Sequence, residues 1–146
     1  MYKTNLQLLT MKKLSFILTT LCLFFVSCSN DRIDNSDAKE NDMQQLEKMY
    51  QEIVTLSKVN SETCTDSKDW DFTAIGAKAC GGPEKFIVYS KKINTAEFLA
   101  KVKTYTDARV AFNVKWNIFS TCDIVSPPAG VGCVDGKPTL LRNTAF

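Results

Sequence analysis

Ile93–Phe119 reads INTAEFLAKVKTYTDARVAFNVKWNIF, and the fold turns on whether it is one long helix or a helix followed by a strand. Its start carries a complete helix signature. Asn94 is an N-cap residue, Glu97 stands where a capping box needs it, and Ile93 is placed to staple onto Phe98 across the cap. Phe98, Leu99, Val102 and Tyr105 then recur at three- and four-residue steps, a stripe that belongs in a core. Beyond Asp107 two periods compete. Phe112 and Trp116 prolong the helical spacing, whereas Val110, Phe112, Val114, Trp116 and Ile118 alternate as a strand would. A helix as far as about Asn113–Trp116 places Arg109, Asn113 and Lys115 on one outward side, and that reading is favoured.

Upstream, a second helix is expected to start at Asp37, with Glu40 as its capping-box partner. Met43, Leu46, Met49, Tyr50, Ile53, Val54 and Leu56 form its apolar face, and Gln44, Glu47, Lys48 and Glu52 its polar one. Asn60, tolerant of left-handed backbone, is the expected stop. Between the helices, 64–80 reads as a loop that folds Trp70, Phe72 and Ile75 back over the core. Cys80-Gly81-Gly82-Pro83 then forces a sharp turn into Phe86–Tyr89, a short run apolar on both faces and hence an interior strand. After Ser120-Thr121-Cys122, the pair Pro127-Pro128 excludes helix. Asp135-Gly136 between Val131–Val134 and Lys137–Leu141 signals a hairpin, with Pro138 favouring an edge position. The sum is a single α+β domain: two packed helices against a small, mainly antiparallel, disulfide-stabilised sheet.

The N-terminal region supplies an address. Lys12 and Lys13 precede an apolar run, Leu14 to Val26, closed by Ser27-Cys28, the order of a secretory signal. The run is too short for a hydrocarbon core of about 30 Å. Phe25-Val26-Ser27-Cys28 resembles the lipobox of bacterial lipoproteins, in which the cysteine is acylated with palmitate-type chains and becomes the first residue after cleavage. The resemblance implies 1–27 as signal peptide, with Met1 to Thr10 as an over-extended start, 28–36 as a lipidated polar tether and 37–146 as the globular domain. It also implies anchoring to a cell envelope, at the outer membrane. Asp31 and Asp34 in the tether are candidates for part of a sorting signal, but a solvated linker is the favoured reading of them.

Removal of the leader takes Lys3, Lys12 and Lys13 and no acid, turning a net charge of +2 into an excess of one acid. A near-neutral body of about 119 residues, without a basic run, argues against a nucleic-acid partner and suffices for one modest core. With Cys22 cleaved away and Cys28 acylated, Cys64, Cys80, Cys122 and Cys133 remain, an even number suited to disulfides in an oxidising compartment. Three pairings are open to them, and Cys64–Cys80 with Cys122–Cys133 is favoured because near neighbours close most easily. A tetrathiolate zinc site would want close CxxC pairs, which the chain lacks.

The motifs from Cys64 to Lys137 bear a second likeness. Trp70, the CGGP turn, the apolar-Tyr-Ser strand Phe86 to Ser90, Tyr105, Asn113 and Ser120-Thr121-Cys122 resemble those of a group of small exported bacterial proteins. In that group a final cysteine often follows the last Asp/Asn-Gly turn, where this chain has Lys137-Pro138. The resemblance implies a secreted disulfide domain and no particular chemistry.

The chain has no histidine, which removes Ser-His-Asp and Cys-His nucleophile pairs and histidine general bases. Carboxylate chemistry through Asp66, Asp69, Asp71 and Glu84 would need two acids across a cleft. The same aspartates are dense enough for calcium, but lack the glycine and glutamate of an EF-hand loop. The expectation is a non-enzymatic module with no cofactor, binding a protein partner or inhibiting one through preorganised loops. The candidate residues are Asp66, Asp69, Trp70 and Asp71 with Gly81, Gly82 and Pro83, and a second loop runs from Asp123 to Gly132. The rival is an accessory protein that docks on a larger envelope assembly, which exposure of Val110, Trp116 or Phe119 would favour.

Overall fold

The computed structural model describes residues 35–142; the leader, Cys28 and the tether as far as Asp34 lie outside them. The described part is α+β, with two helices and two antiparallel two-stranded ribbons.

Helix α1 spans Asn35–Ser57. It begins two residues before the expected Asp37, so Asn35 and Ser36 belong to helix, and Asp37 lies in the first turn, where its charge suits the helix dipole. It also ends before Asn60. Buried Ser57 donates its hydroxyl to Val54 O at 2.7 Å and accepts Val59 N at 3.3 Å, replacing the helical ladder, and Lys58 turns left-handed at φ 65°.

Helix α2 spans Thr95–Lys115 without a break, which settles the competing periods. Asn94 accepts from Glu97 N and donates to the Glu97 carboxylate, both at 3.3 Å. The far end closes on Asn117 at φ 46°, with Asn117 N donating to Val114 O and Ile118 N to Asn113 O, the two bonds of a Schellman motif. Two expectations along it fail. Leu99 lies outside the buried stripe, 39% exposed, and Asn113 is buried rather than outward because its Nδ2 donates to Ala77 O at 2.8 Å.

The helices are antiparallel: Glu52 meets Lys101 at 2.5 Å, and Asp42 meets Lys115 at 2.6 Å near the opposite end. Such exposed pairs contribute little. The contact is held by Leu46 and Ile53 of α1 against Phe98, Val102, Tyr105 and Phe112 of α2, with Ile75, Ile87 and Tyr89 closing the core. Burial of Ile53 and Phe98, each 1% exposed, stabilises by about 1.5–3 kcal/mol apiece.

Those last three residues come from the first ribbon, strands β1 (Trp70–Ile75) and β2 (Lys85–Ser90), with Trp70 opposite Ser90 and Ile75 opposite Lys85. The segment expected as a loop between Cys64 and Cys80 therefore contains a strand, entered through a 3-10 turn at Ser67–Asp69. The second ribbon is β3 (Gly130–Val134) with β4 (Lys137–Leu141), joined at Asp135 and Gly136, both at positive φ, as the Asp-Gly signal requires. Pro138 pairs opposite Cys133 and is buried. Val131 and Leu140 pack on a smaller cluster of Cys64, Trp70 and Val88.

The disulfide joins Cys64 to Cys133, with Cα atoms 5.4 Å apart, and Cys64 N donates to Gly136 O at 2.8 Å beside it. The expected pairs Cys64–Cys80 and Cys122–Cys133 are therefore wrong. Cys64 precedes β1 and Cys80 follows it; a six-residue strand carries the chain about 17 Å at roughly 3.3 Å per residue. That is well beyond the about 7 Å a disulfide tolerates between Cα atoms. Helix α2 likewise brings Cys122 to the CGGP end, and β3 returns Cys133 to the Trp70 end.

Candidate functional site

The residues expected to form one contact are split between the two ends of the first ribbon. Asp66 accepts from Lys68 N at 2.9 Å as the cap of the 3-10 turn, and Asp69 pairs with Lys92 at 2.7 Å. That hydrogen bond raises the Lys92 ammonium pKa. Asp71 accepts from Phe72 N at 2.8 Å and lies near Tyr89, whose hydroxyl is held above its usual pKa by burial first and by the Asp71 charge second. Trp70 is 5% exposed, packed with Cys64 and Val88, and is part of the core rather than a contact residue. No group of three or more histidine, cysteine or carboxylate side chains at metal-binding distance occurs among the described residues.

At the other end, Gly81 and Gly82 turn at φ 98° and 79°, closed by Lys78 N to Gly82 O and Gly81 N to Lys78 O, both 3.0 Å. The turn is fastened to α2. Arg109 donates from Nη2 at 2.7 Å and Nε at 2.8 Å to Glu84 Oε1, with both side chains largely buried. Gly76, at φ 74°, sits against the Glu84 carboxylate with no room for a Cβ, and Thr106 Oγ1 accepts its N–H at 3.2 Å. Glu84 is thus spent on Arg109 and stands at the opposite end of the ribbon from Asp66 and Asp69, so these acids do not converge as a hydrolytic pair.

Beside this turn lie two exposed thiols, Cys80 and Cys122. Cys80 Sγ is 3.5 Å from Ser120 Oγ and 3.7 Å from Thr121 O. Hydrogen bonds from Cys122 and then Ser120, with the Lys78 charge a smaller influence, hold the Cys80 thiol below its usual pKa. The Cys122 thiol is pushed up, first by its hydrogen bond to Cys80 and then by desolvation. Lys78 Nζ donates to Asp123 O at 2.6 Å, holding the second loop against the turn.

That loop, from Asn117 to Ala129, carries the most exposed large apolar side chains described, Phe119 at 85% and Ile124 at 90%. Val114, 77% exposed, and Val110 precede them on one face of α2, spaced by a helical turn. Val110 and Phe119 are therefore exposed, whereas Trp116 is half-buried and donates Nε1–H to Asp42 at 2.8 Å. Val114 and Ile124 went unrecognised in the sequence. Val114 repeats Val110 at i+4, a readable signal, but a single isoleucine in a polar loop is none.

Compared with known proteins, the chain matches no family model, no curated protein and no solved structure. No described helix is long and apolar enough to cross a membrane.

Proposed function

We propose that the protein is an exported module, anchored by lipid on Cys28, that binds a protein partner through the C-terminal end of α2 and the loop after it, without catalysing a reaction. The observation that carries this is the exposure of Phe119 and Ile124 on a segment between α2 and β3. Leaving such groups in water is unfavourable by about 25 cal/mol per Å² of apolar surface, and burying an aromatic anchor in a partner's pocket recovers it. The flanking Arg109–Glu84 pair and Asn113–Ala77 bond hold the surface in place, so little order is lost on binding. The envelope address rests on the MKKLSFILTTLCLFFVSC leader. Two or more acyl chains, at about 0.8 kcal/mol per buried methylene, hold a domain of this size on a membrane. Val110 and Val114 extend the surface along the helix, which favours docking on a larger assembly over insertion of the loop alone, as an inhibitor would use it.

The test is photocrosslinking in living cells, with a benzophenone amino acid at Phe119 or Ile124 and, as control, at Lys48 on the polar face of α1. Discrete adducts from the first two positions, lost when Val114→Asp is added, are expected. Adducts shared with Lys48, or none, overturn the reading. Cys28→Ala should move the cleaved protein from the membrane to the soluble fraction with its circular dichroism unchanged; membrane retention of a cleaved, unacylated product rejects the anchor.

A further inference from the structure

We propose that Cys80 and Cys122 are a thiol–disulfide exchange site, closing as a second, accessible disulfide within the loop spanned by the Cys64–Cys133 bridge. Both thiols are exposed, both line the open cleft between the CGGP turn and the Asp123–Val125 strip, and Cys80 Sγ touches Ser120 Oγ and Thr121 O, the two residues that lead into Cys122. Side-chain contacts hold the two segments together, Lys78 Nζ donating to Asp123 O at 2.6 Å and Cys80 Sγ meeting Ser120 Oγ and Thr121 O. Closure therefore joins two segments that already touch.

The roles divide by environment. Cys80, with the Ser120 hydroxyl and Lys78 beside it, is the thiol that more readily loses its proton, and the thiolate is the attacking species. It attacks one sulfur of an external disulfide, here oxidised glutathione, forming a Cys80–glutathione mixed disulfide and expelling one glutathione thiolate, which takes up the proton Cys80 gave up. Cys122 then gives up its proton and attacks the Cys80 sulfur. The Cys80–Cys122 bond forms, the mixed disulfide breaks, and the second glutathione leaves as its thiol. Two protein thiols are oxidised and one external disulfide is reduced to two thiols. The Cys64–Cys133 bridge exchanges more slowly, because Cys64 is buried beside Trp70 and Val88 and only the Cys133 sulfur can be reached. The bond would fasten the Phe119–Ile124 segment to the turn, but the inference rests on the thiols alone and not on the binding surface.

The experiment uses the mature protein purified in detergent, equilibrated in glutathione buffers of graded ratio, quenched with acid, alkylated and mapped by non-reducing mass spectrometry. The expected result is a Cys80–Cys122 cross-linked peptide beside Cys64–Cys133. Reduced glutathione should open it at least tenfold faster than the half-buried Cys64–Cys133 bridge. In Cys122→Ser the exchange should stop halfway, leaving one glutathione on Cys80. Cys80 and Cys122 remaining alkylatable in oxidising buffer, two glutathiones on one chain, or a Cys64–Cys80 peptide would each overturn the proposal. The wild-type map decides the matter by itself if the Cys122→Ser protein does not fold.

Discussion

Replacing Cys64→Ala together with Cys133→Ser removes the only cross-link between the start of the first ribbon and the last hairpin. Its effect follows from the chain it encloses. The two cysteines are 69 residues apart in sequence, and releasing a loop of that length returns conformational freedom to the unfolded chain equivalent to about 4 kcal/mol. Cys133 is exposed, so its change to serine adds little. Cys64 is buried beside Trp70 and Val88, and its shortening to alanine adds roughly 1 kcal/mol. Against a total stability of about 5–15 kcal/mol, such a loss leaves a marginal domain. Urea unfolding followed by tryptophan fluorescence, to which Trp70 reports from the same cluster, measures it. With a slope of about 1–3 kcal/mol per molar urea, the midpoint should fall by roughly 2 M. The slope itself should rise, because the unfolded chain is no longer cinched. A loss under about 1 kcal/mol at unchanged slope would refute the reasoning.

Two further outcomes are expected. Gly76→Ala forces a Cβ into the Glu84 carboxylate at a left-handed position and should destabilise by about 1–3 kcal/mol, visibly more than Gly81→Ala, which shares the positive φ but faces open space; equal losses would sink the steric argument. Asp42 is held below the usual aspartate range, first by its hydrogen bond to Lys115 and then by that to the Trp116 indole. A depressed folded pKa contributes stability that is present above the unfolded value and lost as pH falls through the folded one. The clamp between α1 and α2 should therefore persist at pH 5 and open only below about pH 3.9. The Trp116 indole N–H chemical shift reports it, Asp42→Asn should abolish the transition, and a midpoint at or above the ordinary aspartate value would reject the assignment.

Helix α2 was legible because local signals agreed: Asn94 and Glu97 fix its start, and Phe98, Val102, Tyr105 and Phe112 share a face. The Asp135-Gly136 hairpin was legible for the same reason, since positive φ at both positions is a local demand. Strand β1 was not. Trp70 and Ile75 are buried while Asp71, Phe72 and Thr73 are partly so, a pattern without clean alternation, and only its pairing with Phe86–Tyr89 makes it a strand. The disulfide partners were hidden by that strand, because sequence proximity ceases to mean spatial proximity once an extended element intervenes. Asn113 reads as surface until Ala77 O arrives from elsewhere in the chain. Of the candidate site, exposure of Val110 or Phe119 is a condition the sequence can name but not decide, and Trp70 folds over the core with Cys64 and Val88, as its place in the segment suggests, leaving it no part in a contact loop.

The wide span of the Cys64–Cys133 bridge bears on the order in which the domain can be made. Of the four cysteines among the described residues Cys64 emerges first, and the next to arrive are Cys80 and Cys122, neither of which is its partner. At synthesis rates of about 5–20 residues per second, 69 residues leave Cys64 waiting roughly 3–14 s for Cys133. Oxidation in the order of emergence therefore locks Cys64 to the wrong neighbour. The correct bond requires either that oxidation lag behind the last hairpin or that a disulfide isomerase undo the early product. Yield of this protein should consequently depend on the isomerase supply of its host, and not merely on how oxidising the compartment is.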